Sequence, residues 1–262
     1  MCLESSSNLR YLDLSDCSAY IDHIEEILAS CYSLEKLTLA EAEITPSMIK
    51  SICEQNGKTL KILSLNSCQG VNVWCLQQIL ENCIKIKEIN LGQILMWDFE
   101  TGENVLSYIV HNLPSGIEKL DLSCHQINDQ FLSALIARCK NLRSLKLSDF
   151  TLTNDSLTII MNDLKDSLEE LDLGCCDMTF DKLLELKSMP KLKVLNYVFL
   201  QKETEIFVKD NLPHLSINKK RLAIGLWDRD NPEDGFWEIQ SKQMNIFEDH
   251  IPRRGNRNKP NE

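Results

Sequence analysis

The strongest constraint on this chain is a phrase that its sequence repeats eight times, Leu/Ile-x-x-Leu/Ile-x-Leu, with Tyr197 in place of the last leucine in the eighth copy and a longer segment after each copy. Successive copies start 24 to 31 residues apart. Their lead residues are Leu9, Leu34, Leu60, Ile86, Ile117, Leu142, Leu168 and Leu192. A period in the mid-twenties with this phrase is typical of leucine-rich repeats. We therefore predict an α/β fold, a right-handed leucine-rich-repeat solenoid (horseshoe) with a parallel sheet on the concave face and helices on the convex face.

Each phrase predicts a short strand, because alternate residues enter the core while the residues between them face the concave side. The segments between phrases have helical spacing. Helix starts are predicted at Thr45-Pro46 and at Asn128-Asp129, where capping residues precede the apolar pattern. A helix over about 203–211 and a short strand with Leu215 and Ile217 should end the array.

The repeat pattern stops near residue 218, and the composition changes beyond it. We predict a solenoid of about eight or nine repeats over residues 1–218. Residues 219–250 are too apolar for a disordered segment and should pack on the solenoid as a tail, and residues 251–262 should be a flexible basic end. Because Leu9 leads a repeat so early, we expect this sequence to be the C-terminal portion or a short form of something larger.

The charge of the chain restricts its partners. The formal net charge is −11, and residues 1–218 hold 19 Lys and Arg against 31 Asp and Glu. This balance argues against nucleic acid as a main partner and favours basic segments of proteins. No apolar run reaches the roughly 18 residues of a membrane span, and the first residues lack a secretory or mitochondrial signal. We expect no membrane association and a cytoplasmic or nuclear location.

The eleven cysteines follow the register of the repeats. Three of them precede a lead residue by three positions, and three others follow the last strand leucine by three positions: Cys31, Cys83, Cys139, Cys17, Cys68 and Cys176. We interpret all six as small core residues whose thiols reach turn carbonyls. His125 stands three residues after the last strand leucine of its repeat, the position that Cys17, Cys68 and Cys176 occupy in theirs. Cys175 should face outward. Reduced thiols in this number indicate a reducing compartment.

The sequence contains no catalytic motif of the G-x-S-x-G, G-x-G-x-x-G, Walker or H-E-x-x-H type, and no cysteine or histidine set has zinc spacing. We therefore predict a protein that is not an enzyme, holds no cofactor or metal, and binds another protein as a monomer.

The candidate partner-binding residues lie on the concave side of the phrases or beyond their ends. They are Asp13, Thr38, Asn66, Asn90, Trp97, Asp121, Lys146, Asp149, Asp172 and Asn196. Trp97 belongs to an insertion of about five residues in the longest repeat. Since insertions in solenoids emerge as loops, we expect Trp97 to lie on a loop. It is either an interface anchor or a side chain that packs over a repeat junction. Most of the polar positions should be solvated.

Two stretches carry more than generic repeat sequence: residues 181–195, which read DKLLELKSMPKLKVL, and residues 211–218, which read NLPHLSIN, followed downstream by GFWEI. Together with the C-x-x-L phrases they resemble the C-terminal half of F-box/leucine-rich-repeat proteins, most closely the S-phase kinase-associated branch. The resemblance implies the substrate-recognition arm of an SCF-type ubiquitin ligase, with a tail that folds back along the concave face. The F-box that recruits the ligase adaptor in that family is not in this sequence, so the sequence as given is expected to hold a substrate without bridging it to a ligase.

The resemblance also implies a possible second partner, a small cyclin-dependent-kinase accessory subunit. Its contacts in that branch lie two residues beyond the last strand leucine of C-terminal repeats, which correspond to Gln93, Cys124, Asp149 and Cys175. Asp149 keeps the acidic character of its position. Gln93 and Cys175 replace an aromatic and a basic residue, so the sequence leaves this contact open.

Two other functions remain open alternatives. One is a free-standing repeat scaffold or assembly factor unrelated to ubiquitin, comparable to small mitochondrial repeat proteins, although a transit signal is absent. The other is a GTPase activator of the repeat type, which would need longer repeats of about 28–29 residues and a functional arginine.

Overall fold

The fold is a single parallel sheet whose strands follow one another in sequence order. The computed structural model describes residues 8–17, 21–94, 105–125, 127–147, 152–174, 178–197 and 202–218. The strands are β1 Tyr11–Asp13, β2 Lys36–Thr38, β3 Ile62–Ser64, β4 Glu88–Asn90, β5 Lys119–Asp121, β6 Ser144–Lys146, β7 Glu170–Gly174, β8 Val194–Tyr197 and β9 Ser216–Asn218. The predicted repeat fold is confirmed.

A helix lies between each pair of consecutive strands. These helices are α1 Ile21–Ala29, α2 Pro46–Asn56, α3 Val73–Asn82, α4 Val105–Asn112, α5 Asp129–Arg138, α6 Asn154–Leu164, α7 Phe180–Leu184 with a 3-10 extension at Glu185–Ser188, and α8 Lys202–Asn211. Both predicted helix starts are correct, since the side chain of Thr45 accepts the Met48 N–H and that of Asn128 accepts the Phe131 N–H.

The core is a continuous stack of the phrase residues. Neighbouring strands pair without offset, so that Leu37 lies beside Leu63 and Leu120 beside Leu145, except for a register shift between Asp172 and Gly174 at the end of β7. The described lead residues after Leu9 are all buried, as are the strand leucines from β2 onward, apart from the half-buried Ile217 in β9. Burial at each fixed position explains why the phrase places an apolar residue there in repeat after repeat. None of the described helices is long and apolar enough to cross a membrane.

The cysteines of the two register positions line this core. Cys31, Cys83, Cys139 and Cys68 are buried, Cys17 in the first repeat is half-buried, and Cys175 and Cys176 lie outside the described residues. The Cys68 thiol donates to the Leu39 carbonyl at 2.8 Å, and burial raises the pKa of Cys68 to about 11. His125 bonds the equivalent carbonyl, that of Leu91, at 2.7 Å. The predicted core roles of Cys68 and His125 are therefore confirmed.

A left-handed turn follows each of the first five strands. The turn residue stands two positions after the last strand leucine, has φ between 57° and 66°, and is Asp16, Glu41, Ser67, Gln93 or Cys124. None of these residues is glycine, although this region of φ costs an L-residue roughly 1–2 kcal/mol. The stacked turns define one rim of the sheet.

Candidate protein-interaction surface

The sheet face that points away from the helices carries most of the predicted binding residues in one column. In register from β1 to β8, this polar column contains Asp13, Thr38, Ser64, Asn90, Asp121, Lys146, Asp172 and Asn196. Asn66 lies in the next column, two residues further along its repeat. Trp97 and Asp149 lie outside the described residues.

Several side chains of the polar column also close the ends of their own strands. One carboxylate or amide oxygen accepts the backbone N–H two residues later, at 2.9 to 3.0 Å, in Asp13, Asn90, Asp121 and Asp172. At Asp13 the Ser15 hydroxyl donates a further bond of 2.6 Å, and these two bonds lower the pKa of Asp13. The column is thus fixed in orientation before any partner binds.

The middle of the face is crowded around Gly92. A Cβ on this residue would lie 2.9 Å from Asn66 Oδ1, 3.1 Å from Asp121 Oδ1 and 3.3 Å from Asn90 Oδ1. The glycine therefore makes room for three neighbouring side chains of the face itself. Beside it, Ser123 is buried and its hydroxyl has no hydrogen-bond partner in the structure.

The last part of the face forms a polar network across β6, β7 and β8. The Ser144 hydroxyl donates to Glu170 at 2.9 Å, and Lys146 Nζ lies 3.9 Å from the same carboxylate. The Asn196 amide approaches both Glu170 and Asp172 at 3.4 Å. Asp172 and Asn196 are buried, which differs from the solvated state expected of most of these positions, because neighbouring repeats enclose them.

A second column, immediately after the lead residues, lies outside the set of predicted binding residues. It contains Arg10, Glu35, Lys61, Lys87, Glu118, Arg143, Glu169 and Lys193. Glu35 pairs with Arg10 and Lys61, both at 2.7 Å. Lys87 pairs with Glu118 at 3.2 Å, and Glu169 binds Arg143 at 2.6 Å and Lys193 at 2.8 Å. The signal in the sequence is a charged residue, acidic or basic, at one fixed position of every repeat.

These ion pairs predict an acid-dependent stability. Hydrogen bonds from Lys61 and then the charges of Lys61 and Arg10 hold the pKa of Glu35 below its ordinary value of 4.5, and bonds from Lys193 and Arg143 do the same for Glu169. A lowered carboxyl pKa stabilises the folded chain above the ordinary value, and this stabilisation is lost as the pH falls through the folded-state pKa.

We expect the double variant Glu35→Gln, Glu169→Gln to lose less thermal stability than the parent between pH 7 and pH 3. Circular dichroism melts at both pH values measure this difference. Glu54→Gln is the matched control, since Glu54 has one ion pair of 3.9 Å on the surface of α2. An equal decline in the parent and the double variant would contradict the role of the charged column.

The polar side chains of the described residues can form hydrogen bonds with a protein partner. Within it, no group of three His, Cys, Asp or Glu side chains could hold a metal ion. Of the positions that the resemblance assigns to an accessory subunit, Gln93 and Cys124 are exposed on the rim, 3.6 Å apart between Nε2 and Sγ. Asp149 and Cys175 are not among the described residues.

The sequential parallel sheet, the helix after each strand and the stacked phrase leucines define a leucine-rich-repeat protein. More specifically, the chain belongs to the SKP2 LRR domain family, whose model matches residues 2–233. The resemblance inferred from the sequence is thereby confirmed.

Curated relatives match shorter parts of the chain. GRR1-like protein 1 of Arabidopsis thaliana is 29% identical over 153 residues, covering 58% of this chain and 25% of the relative. A transport inhibitor response 1-like protein of Oryza sativa subsp. japonica is 32% identical over 126 residues, covering 46% of this chain and 21% of the relative. The matched part is thus a quarter or less of each relative's length.

Among solved structures, the complex of Rad7 and Elc1 in yeast contains a similar fold. The TM-score is 0.59 at 16% identity, and the match covers 81% of this chain and 56% of the other. At this identity the likeness concerns the fold alone. Together with the family match, it supports a repeat module that interacts with proteins.

Proposed function

We propose that this chain is the substrate-recognition arm of an SCF-type ubiquitin ligase receptor, and that it binds its protein partner through the concave sheet face. The observation that carries the proposal is the polar column, which runs in register across eight strands on the face without helices. Such a column provides many adjacent hydrogen-bonding side chains in fixed positions. A partner segment laid across the strands can bond to several repeats at once.

The electrostatics of the array favour a basic partner segment. Residues 1–218 carry 31 acidic and 19 basic side chains, and the polar column itself contains Asp13, Asp121 and Asp172. Orientation of these groups by their own backbone N–H contacts lowers the entropy lost on binding. The proposed binding site acts in the cytoplasm or nucleus, where the buried free thiols of the core remain reduced.

The link to ubiquitin rests on the family. The match to the SKP2 LRR domain and the residues 181–218 that resemble F-box/leucine-rich-repeat proteins favour a ligase receptor over a free-standing scaffold. The Rad7 and Elc1 complex gives further support, because there a repeat array of similar fold is assembled with a second protein.

Binding through this face predicts a strong effect of Asp121→Arg. The substitution replaces a half-exposed carboxylate at the centre of the column by a large cation, and we expect it to reduce partner capture by about tenfold or more, as at an interface hot spot. Thr38→Arg tests the same face three repeats away. The measurement is quantitative affinity capture from cells, with thermal melts showing that each variant is folded.

Asp163→Arg is the matched control, since it makes the same charge change at an exposed position of α6. Equal capture by Asp121→Arg, Asp163→Arg and the parent would exclude the concave face as the binding site.

The ligase role is tested by the identity of the captured proteins. Residues 1–262 and the longest natural product of the gene are compared side by side for cullin and adaptor subunits. We expect these subunits with a product that carries an F-box, and the same substrate with both forms. A substrate captured without any cullin or adaptor from either form would favour the scaffold. Capture of a cyclin-dependent-kinase accessory subunit, lost on Gln93→Arg, would establish the second partner.

A further inference from the structure

Two thiols from neighbouring repeats meet on the convex side of the array. Cys53 lies in α2 and Cys83 caps the C-terminus of α3, and the two thiols are close enough to affect each other's pKa. The Cys53 thiol also donates a hydrogen bond of 3.4 Å to the Gln78 carbonyl oxygen of α3. Both contacts place Cys53 directly against the helix that Cys83 ends.

The backbone explains why the two helices approach so closely at this point. A Cβ on Gly57 would lie 2.6 Å from the Cys53 carbonyl oxygen and 2.7 Å from that of Asn82. Any larger residue would push the end of α2 away from the end of α3. The absence of a side chain at Gly57 thus allows the end of α2 to lie against Asn82, the residue before Cys83.

The two thiols differ in access to solvent. Cys53 is half-buried and lines a groove of about 570 Å³ between α2 and α3, together with Lys50 and the exposed Trp74. Cys83 is fully buried. A small reagent therefore reaches Cys53 first.

The two thiols also differ in acidity. The hydrogen bond from Cys83 lowers the pKa of Cys53, against the opposing effects of burial and of Glu54. The same contact, together with burial, raises the pKa of Cys83. Cys53 is therefore the more acidic of the two thiols, and a more acidic thiol forms the reactive thiolate more readily.

We propose that Cys53 is a site of oxidation by small hydroperoxides and that Cys83 resolves it into a disulfide that joins α2 to α3. This pair is separate from the concave face and independent of its proposed partner. An accessible reactive thiol beside a second thiol is the arrangement that reversible thiol oxidation requires.

The chemistry balances in two steps. The Cys53 sulfur attacks the terminal oxygen of the hydroperoxide, the O–O bond breaks, and the products are a Cys53 sulfenic acid and an alcohol, or water when the oxidant is hydrogen peroxide. The Cys83 sulfur then attacks the Cys53 sulfur, an S–S bond forms, and the S–OH group leaves as water after taking the Cys83 proton. Two thiols lose two electrons in total, and one hydroperoxide gains them.

The chain contains its own control. Cys139 ends α5 as Cys83 ends α3, three residues before the lead residue of its repeat. Cys53 stands seven residues before Leu60, and the equivalent position of the repeat preceding Cys139 holds Val110. Cys139 therefore has the same burial and helix-end position without the thiol neighbour.

The test treats the whole chain, folded and reduced, with hydrogen peroxide and then blocks remaining thiols before proteolysis and mass spectrometry. We expect a Cys53–Cys83 cross-linked peptide that disappears on reduction, is lost completely in Cys53→Ala and in Cys83→Ala, and is retained in Cys75→Ala and Cys139→Ala. Thermal melts confirm that each variant is folded, and Cys53→Ala removes the pair at a half-exposed position if Cys83→Ala unfolds.

Failure to detect the cross-link in the folded parent, at peroxide levels that oxidise the exposed Cys124, would overturn the proposal. So would a Cys83 cross-link to another cysteine in place of Cys53. Either result leaves the concave-face function untouched, because partner capture is measured separately under reducing conditions.

Discussion

Asn56→Ala is expected to lower the free energy of unfolding by about 2–4 kcal/mol. Asn56 is the last residue of α2 and is fully buried. Its amide oxygen accepts the Leu34 N–H and its amide nitrogen donates to the Cys31 carbonyl, both at 2.8 Å. Alanine leaves a buried donor and a buried acceptor of the segment between α1 and β2 without partners, and each such group costs roughly 1–3 kcal/mol.

The chain provides a matched control for this substitution. Asn82 stands at the same place in α3, four residues before its lead residue, but it is exposed and donates within its own helix to the Gln78 carbonyl at 2.8 Å. Asn82→Ala should change stability by less than about 0.5 kcal/mol, as most surface substitutions do. Urea unfolding of both variants measures the difference, and equal losses would show that the bonds of Asn56 to Cys31 and Leu34 add no stability.

The two asparagines also show a structural difference that the repeat pattern does not predict. The leucines could be placed in advance, because burial at a fixed period leaves few alternatives for an apolar residue. Asn56 and Asn82 have the same type and the same repeat position, so no pattern distinguishes them. The two differ because the turn before β2, at Cys31 and Leu34, approaches α2 closely enough to bond its last side chain.

The turns after the strands illustrate a second limit. A left-handed residue usually reveals itself as glycine, and here Glu41, Gln93 and Cys124 take that conformation without the signal. Backbone bonds between adjacent repeats stabilise these turns, since the Glu41 N–H donates to the Asn66 carbonyl and the Gln93 N–H to the Ser123 carbonyl. The conformation follows from stacking of the repeats, which local sequence does not encode.

The sequence predicts where the polar column lies on the sheet but not which of its side chains are buried. Alternation along the phrase was enough to place the polar column, because register between strands repeats without offset. The burial of Asp172 and Asn196 could not be foreseen, since it depends on how side chains of three adjacent strands meet. Roles of individual residues in binding remain predictions for the substitutions proposed above.

Leu145→Ala should have the largest effect of the substitutions considered, a loss of about 3–5 kcal/mol in the free energy of unfolding. Leu145 is fully buried in β6, between Leu120 and Leu171 in exact register. Truncation removes buried methyl groups and leaves a cavity that the paired strands on both sides prevent from closing.

The corresponding residue of the first strand, Leu12, is the matched control. Leu12 is half-buried, and β1 pairs with β2 alone among the described strands. Leu12→Ala should therefore cost only about 1–2 kcal/mol, because less apolar surface is lost and the site can relax. Each repeat contacts only its neighbours, so stability is the sum of repeat and junction contributions, and a cavity in an inner repeat weakens two junctions at once. Urea titrations of both variants decide the point: similar losses would mean that the inner junctions are no stronger than the terminal one.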